Sequence, residues 1–152
     1  MPNQDETAIS GAINTLRAKL KLRPIWMNGL MLFCVYMAVI YVPWDIFLKP
    51  VAEDQEVWFG YMFTGWAAKA TAVLHWFVYA AGSIGFWKMR PWMFPWASLY
   101  VVQISIGMFV WSLLYGGGGI ASSLIISLVF MALAIALWRA RGLFEKSNQL
   151  NL

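Results

Sequence analysis

Residues 24–42 read PIWMNGLMLFCVYMAVIYV. The run carries no charge, and its only amide side chain is Asn28. Crossing about 30 Å of hydrocarbon takes about 20 helical residues, and this run has about that length. Pro24 suits a first helical turn, where its missing N–H leaves no bond unmade. The apolar part of a signal peptide is about 7–15 residues long and ends at a small-x-small site. This run is longer and continues into VPWD, so it reads as a retained first span.

Three further runs follow. The second begins between Trp58 and Trp66 and ends near Trp87. The third is PWASLYVVQISIGMFVWSLLY, residues 95–115, and four glycines at 116–119 make a flexible turn after it. The fourth is IASSLIISLVFMALAIALW, residues 120–138. Backbone polar groups in lipid must bond internally, which leaves helices or closed barrels. The runs are continuous rather than alternating, so they are helices. The expected architecture is an all-α integral membrane protein. It is a four-transmembrane-helix bundle forming one membrane domain over residues 1–152. The spans fall at approximately 24–43, 60–87, 94–115 and 119–139, preceded by a short amphipathic surface helix over 5–21. Composition agrees: 61% of the 152 residues are hydrophobic and 12% charged, against about a quarter charged in soluble domains. Aromatic residues, ten of them Trp, stand near the ends of the runs, as at headgroup depth.

Charge placement sets the expected orientation. Arg17, Lys19, Lys21 and Arg23 precede the first run, Lys88 and Arg90 lie between the second and third, and Arg139, Arg141 and Lys146 follow the fourth. All three clusters fall on one side of a four-span chain. Basic flanks mark the cytoplasmic side, so both termini are expected there, in a bacterial inner or plasma membrane. The loop after the first span holds Asp45, Glu53, Asp54 and Glu56, with Lys49 its one basic residue. These carboxylates are candidates for ion pairing on the outer side. The loop's apolar residues suggest that it hugs the membrane surface, with 56–64 either a half-helix or the outer turn of a long second span.

Ile9, Ile13, Leu16 and Leu20 recur at helical spacing on one face. This helix could lie on an anionic leaflet, remain a loose tail, or bind a partner. The C-terminal EKSNQLNL is polar and is expected to fray. LRPIWMN at 22–28 and MRPWMFP at 89–95 repeat an Arg-Pro pair with a nearby Trp. Two parallel hairpins would produce such an echo, and so would interface chemistry alone.

Small residues mark packing faces. Ser98, Ser105 and Ser112 stand seven apart with Gly107 nearby, Ala132, Ala136 and Ala140 lie four apart with Ser123 and Ser127 earlier, and Gly82 and Gly85 lie toward the end of the second run. Such seams hold a bundle together or meet another subunit.

Lys69 and His75 interrupt the second run. His75 lies twelve residues before Trp87, about 18 Å along a helix and near mid-membrane. Lys69 lies about 27 Å from Trp87, close enough to the boundary to snorkel; a tilted span would bury it and require a carboxylate partner such as Asp45. The two are about 120° apart around the helix and do not form a dyad. His75 is expected to bond Thr71, Tyr79 or Gln103. Together, Lys69, Thr71, His75, Tyr79 and Gln103 are the candidate polar lining for a ligand. A mid-membrane histidine can also ligate a tetrapyrrole axially, although no cofactor is indicated.

Much chemistry is absent. There is no phosphate-binding glycine loop and no histidine cluster, and the lone Cys34 can neither form an internal disulfide nor make a metal site. No carboxylate lies inside the first, third or fourth span. The basic residues read as interface anchors, with nothing to hold nucleic acid. An enzyme complete in this chain is not expected. RPWMFPWASLY, residues 90–100, resembles the Trp- and Pro-rich spans of tryptophan-rich sensory proteins. That resemblance implies porphyrin or sterol binding, although the family has five spans and four are counted here. Three functions are carried forward. The leading one is a helical subunit or assembly component of a larger membrane complex. The second is a homo-oligomeric carrier of a small anionic or amphipathic ligand using Lys69 and His75. The third is a lipid or hydrophobic-ligand binding module. The expected partners are the bilayer and other membrane subunits or copies of the chain.

Overall fold

The computed structural model describes residues 4–21, 23–116 and 119–149. Gly117 and Gly118 of the glycine turn lie outside the described residues, as do residues 150–152 of the expected frayed tail. The elements run α1 (Gln4–Lys21), α2 (Ile25–Phe47), β1 (Gln55–Trp58), β2 (Tyr61–Thr64), α3 (Gly65–Lys88), α4 (Met93–Leu114), α5 (Gly119–Arg139) and α6 (Arg141–Gln149). A short 3₁₀ turn, Val51–Glu53, lies between α2 and β1. The chain is largely helical. Three helices, α2, α4 and α5, are long and apolar enough to cross a membrane. The fourth, α3, has the length at 24 residues, but Lys69, His75 and Lys88 dilute its apolar character.

The distribution of residue size agrees with a hydrocarbon surround. Leu128, Val129 and Val39 are each more than 60% exposed, while Ser105 and Ser123 are fully buried. Large apolar side chains face outward and small polar ones face inward, the reverse of a water-soluble interior. The serine repeat is the seam of the α4–α5 hairpin. Ser98 Oγ donates to the Ala134 carbonyl at 2.7 Å, and Ser105 Oγ donates to the Ser127 carbonyl at 2.7 Å. Ser123 Oγ meets Ser112 Oγ at 2.9 Å. Seven-residue spacing keeps all three α4 serines on one helix face, where their small volume lets the backbones approach. On α5 this seam uses Ser123, Ser127 and Ala134; Ala132 lies exposed and Ala136 half-buried.

Within α2 the helix widens to a π turn at Met37–Tyr41, just ahead of Pro43. Val42 N–H bonds the Met37 carbonyl, five residues back. The next residue, Pro43, has no N–H to give the Ala38 carbonyl. Trp76 of α3 supplies the missing donor: its indole Nε1–H bonds Ala38 O at 2.7 Å. An irregularity forced by one proline thus fastens α2 to α3.

The stretch expected as a half-helix or as the outer turn of the second span is instead a β-hairpin. Gln55 pairs with Thr64 and Trp58 with Tyr61 in antiparallel register. Its two-residue turn has φ +51° at Phe59 and +87° at Gly60. Positive φ at both central positions matches the right-handed twist of the strands, but it suits glycine and strains phenylalanine. The turn packs tightly on α4: a Cβ at Gly60 would sit 2.3 Å from Val110 Cβ, and one at Gly107 would sit 3.3 Å from Gly60 N.

At the opposite end, Met89 takes a left-handed conformation that closes α3, with Arg90 N–H bonding the Gly85 carbonyl at 3.0 Å. Arg23 Nη1 donates to the carbonyl of Phe86 in the same terminal turn. Met27, Met31, Phe86, Met93, Leu137 and Phe144 form the buried apolar cluster there. Phe144 belongs to α6, so the residues after the last span do not all fray; they form a helix to Gln149.

Two outcomes follow. Trp76→Phe leaves the Ala38 carbonyl without a donor and lowers stability by about 1–3 kcal/mol. In a Pro43→Ala background, which restores a backbone N–H, the loss is smaller; thermal unfolding of the four proteins in detergent measures the coupling. Phe59→Asn removes turn strain and raises the unfolding temperature in the same assay.

Candidate functional site

Of the polar groups singled out in the sequence, Asp45, Asp54 and Lys69 meet at one end of the bundle, the acidic end, and the others do not join them in a path. Asp45 ends α2, Lys49 follows it, Asp54 precedes β1, and Lys69 lies one turn into α3. Lys49 Nζ is 2.9 Å from Asp45 Oδ1 and 3.0 Å from Asp54 Oδ1. Lys69 Nζ is 3.1 Å from Asp54 Oδ2 and also donates to the carbonyls of Asp45 and Lys49. Asp45 and Asp54 are 1% exposed and Lys69 is 8% exposed. Of the two readings open for Lys69, snorkelling and pairing, the geometry is pairing. Two ammonium groups and two carboxylates make a neutral cluster whose charges neutralise one another.

His75 does not bond Thr71, Tyr79 or Gln103. Its Nδ1 lies 2.9 Å from Glu56 Oε2 on β1. An ionised carboxylate only accepts, so Nδ1 carries the proton and donates it. Trp58 stacks on the imidazole at 4.2 Å between centroids, with 12° between planes. Thr71 Oγ1 bonds back to the Ala67 and Ala68 carbonyls of its own helix. Gln103 is half-buried beside Gly107, and Glu53 is exposed. Lys69 and His75 are therefore both anchors of the loop and hairpin, spaced along α3. His75 lies ten residues from Gly65, about 15 Å, so the hairpin is held well down the side of the helix. No group of three or more metal-ligating side chains occurs among the described residues.

Tyr79 leads to a feature that the sequence analysis missed. An apolar cleft of about 360 Å³ lies between the α2–α3 pair and the α4–α5 hairpin. α2 contributes Leu30, Phe33 and Cys34, and α3 contributes residues from Val78 to Phe86, including Tyr79 and Gly82. Trp92 and α4 residues from Met93 to Ile104, including Ala97 and Tyr100, contribute next, and α5 contributes Phe130, Leu133 and Leu137. Among the described residues, none that lines it is charged. Every contributing stretch lies toward the basic end of its helix, opposite the hairpin. Gly82 brings α2 close, since a Cβ there would meet Cys34 Sγ at 3.0 Å. Gly85 leaves room for Met93, whose Sδ would lie 2.1 Å from a Cβ at that position. Ligand cavities typically enclose about 300–1,000 Å³ and are mostly apolar. The sequence signal was the pair of ring residues Trp96 and Tyr100 at i and i+4, with the small Gly82 on the second run.

Burial opposes the charge on Lys49, but the Asp45 and Asp54 carboxylates outweigh it and hold the ammonium above the usual lysine range. Burial also opposes the charge on Asp54, and Lys49 with Lys69 outweighs it and holds that carboxyl below the usual carboxylate range. The Asp54 contribution is complete above its unfolded pKa of about 3.9 and is lost as pH falls through the lowered folded value. The Lys49 contribution is complete below about 10.4 and is lost as pH rises through the raised folded value. The cluster therefore contributes a constant stability from about pH 5 to 9, read as a flat contribution to the unfolding temperature. Asp54→Asn strands Lys69 and costs about 3–5 kcal/mol, with a fall in unfolding temperature as the measure.

No family model, no curated protein and no solved structure matches the chain.

Proposed function

We propose that this protein crosses the membrane four times with both termini cytoplasmic and holds an apolar ligand in the cleft between its two helix pairs. The observation that carries the reading is the uncharged cleft of about 360 Å³. Support for four crossings comes from α3. Its Lys69 is neutralised by Asp54 and its His75 is hydrogen-bonded to Glu56, so two of the three groups that dilute its hydropathy have polar partners. Support for orientation comes from the basic residues Arg17, Lys21, Lys88, Arg90, Arg139 and Arg141, all at one end. The cleft then lies in the cytoplasmic half of the bilayer.

The carrier reading loses its lining, because Lys69 and His75 are engaged by the loop and hairpin and the cleft has no charge to meet a bare anion. The subunit reading rests on the same cleft: a partner's transmembrane helix could pack against the face that the chain's own helices leave open. The apolar-ligand reading is preferred because ring residues and Gly82 shape a pocket rather than a flat seam.

The test is photolabelling. The full chain in nanodiscs is exposed to phosphatidylcholine carrying a diazirine in its acyl chain, and adducts are mapped by mass spectrometry. Adducts are expected on cleft residues such as Cys34, Tyr79 and Tyr100, and Ala97→Phe, which fills the cleft, reduces them about tenfold. Adducts confined to outward residues such as Leu128 and Val129 would sink the proposal. Co-purification of a second polypeptide that crosslinks through the cleft would favour the subunit reading.

A further inference from the structure

We infer that the ligand of the cleft is an anionic lipid of the cytoplasmic leaflet, its acyl chain between the helix pairs and its phosphate head at the basic rim; this rests on the reading above.

Arg23 lies two residues before α2. It is 5% exposed, and a guanidinium does not lose its proton in a protein. Its Nη1 donates to the Phe86 carbonyl, and its charge lies 5.6 Å from the Trp87 ring centroid. The end of α3 offers it about half a negative charge. Nε and Nη2 have no hydrogen-bond partner among the described residues, and no carboxylate pairs with Arg23 there. The acidic end shows what this chain does with buried ammonium groups: each is matched by a carboxylate. Arg23 departs from that pattern.

Its position connects this charge to the cleft. Phe86, whose carbonyl takes Arg23, also lines the cleft. The turn after Phe86 carries Lys88 and Arg90, both exposed, and leads to Trp92, which lines the cleft and is 46% exposed. Lys88 and Arg90 thus lie in the segment between Phe86 and Trp92, both of which line the groove, and Arg23 bonds the Phe86 carbonyl. A neutral hydrophobe would use the groove and leave the cations unmatched. A free phosphate would use the cations and leave the groove unfilled. A phospholipid with an anionic head satisfies both, with charge-assisted bonds that a choline head answers less well because it carries its own cation.

The experiment uses the chain's only cysteine, Cys34, which lines the cleft. Delipidated full-length protein in non-ionic detergent is reacted with a hydrophobic maleimide while dioleoyl phosphatidylglycerol, dioleoyl phosphatidylcholine or inorganic phosphate is titrated in. Phosphatidylglycerol is expected to halve the labelling rate at about one-tenth the mole fraction that phosphatidylcholine needs, the ratio one charge-assisted bond supports. Phosphate alone has no effect. Lys88→Gln with Arg90→Gln, both on the exposed turn, narrows the ratio to about threefold, and adding Arg23→Gln removes it. The double variant keeps the test decisive if Arg23→Gln fails to fold. Equal potency of the two lipids on the wild-type chain, with the diazirine lipid still labelling the cleft, overturns the headgroup inference and leaves the cleft reading standing. Failure of both lipids to slow labelling, with no photolabel in the cleft, overturns both. Protection by phosphate alone, or only by a co-purified polypeptide, overturns the lipid assignment.

Discussion

A buried ammonium group must be neutralised, and much of the acidic end is arranged around that requirement. Lys69 needs a carboxylate, Asp54 supplies it through Oδ2, and Oδ1 of the buried Asp54 meets a second ammonium. Lys49 provides the second, and Asp45 balances Lys49. The chain of contacts ties the end of α2, the turn after it and the start of β1 to the first turns of α3. Because Asp54 immediately precedes β1, anchoring it also fixes where the β-hairpin begins. The Glu56–His75 bond and the Trp58 stack then fix where it points.

The same anchoring accounts for the difference between the two halves of the molecule. At the acidic end the hairpin turn is pressed against α4 at Gly107 and Val110. The chain fills the space between α3 and α4 there with its own backbone. Further along, the hairpin has ended, and the two helix pairs are separated by rings such as Tyr79, Trp96 and Tyr100. Within each pair the contact is close, through serines in α4–α5 and through the Trp76–Ala38 bond in α2–α3. Between the pairs it is loose, and the cleft is the space that remains.

Local composition and charge placement made much of this legible. The apolar runs located the long helices, because a backbone in hydrocarbon has few options. The seven-residue serine spacing located the α4 side of its seam, because that period keeps residues on one helix face. Partnerships across the chain were harder. The hairpin was hidden because Glu56–Phe63 is aromatic and apolar, and such a stretch beside a membrane run reads as more helix; Gly60 at its centre was the available sign. His75 was assigned neighbours on its own helix or on α4, whereas its partner came from a strand that had not been foreseen. On α5 the sequence offered both an alanine spacing and the earlier Ser123 and Ser127, and the seam runs through the serines and Ala134. The cleft needed residues from four helices at once, and no single stretch announces it.

The order of the ion-pair residues along the chain bears on biogenesis. In a chain threaded into the bilayer as it leaves the ribosome, Asp45, Lys49 and Asp54 emerge before Lys69. The carboxylate that receives the ammonium has therefore already been translated when α3 reaches the translocon. A rearranged gene placing α3 ahead of α2 would encode the same contacts, yet it would deliver the lysine to the lateral gate unaccompanied.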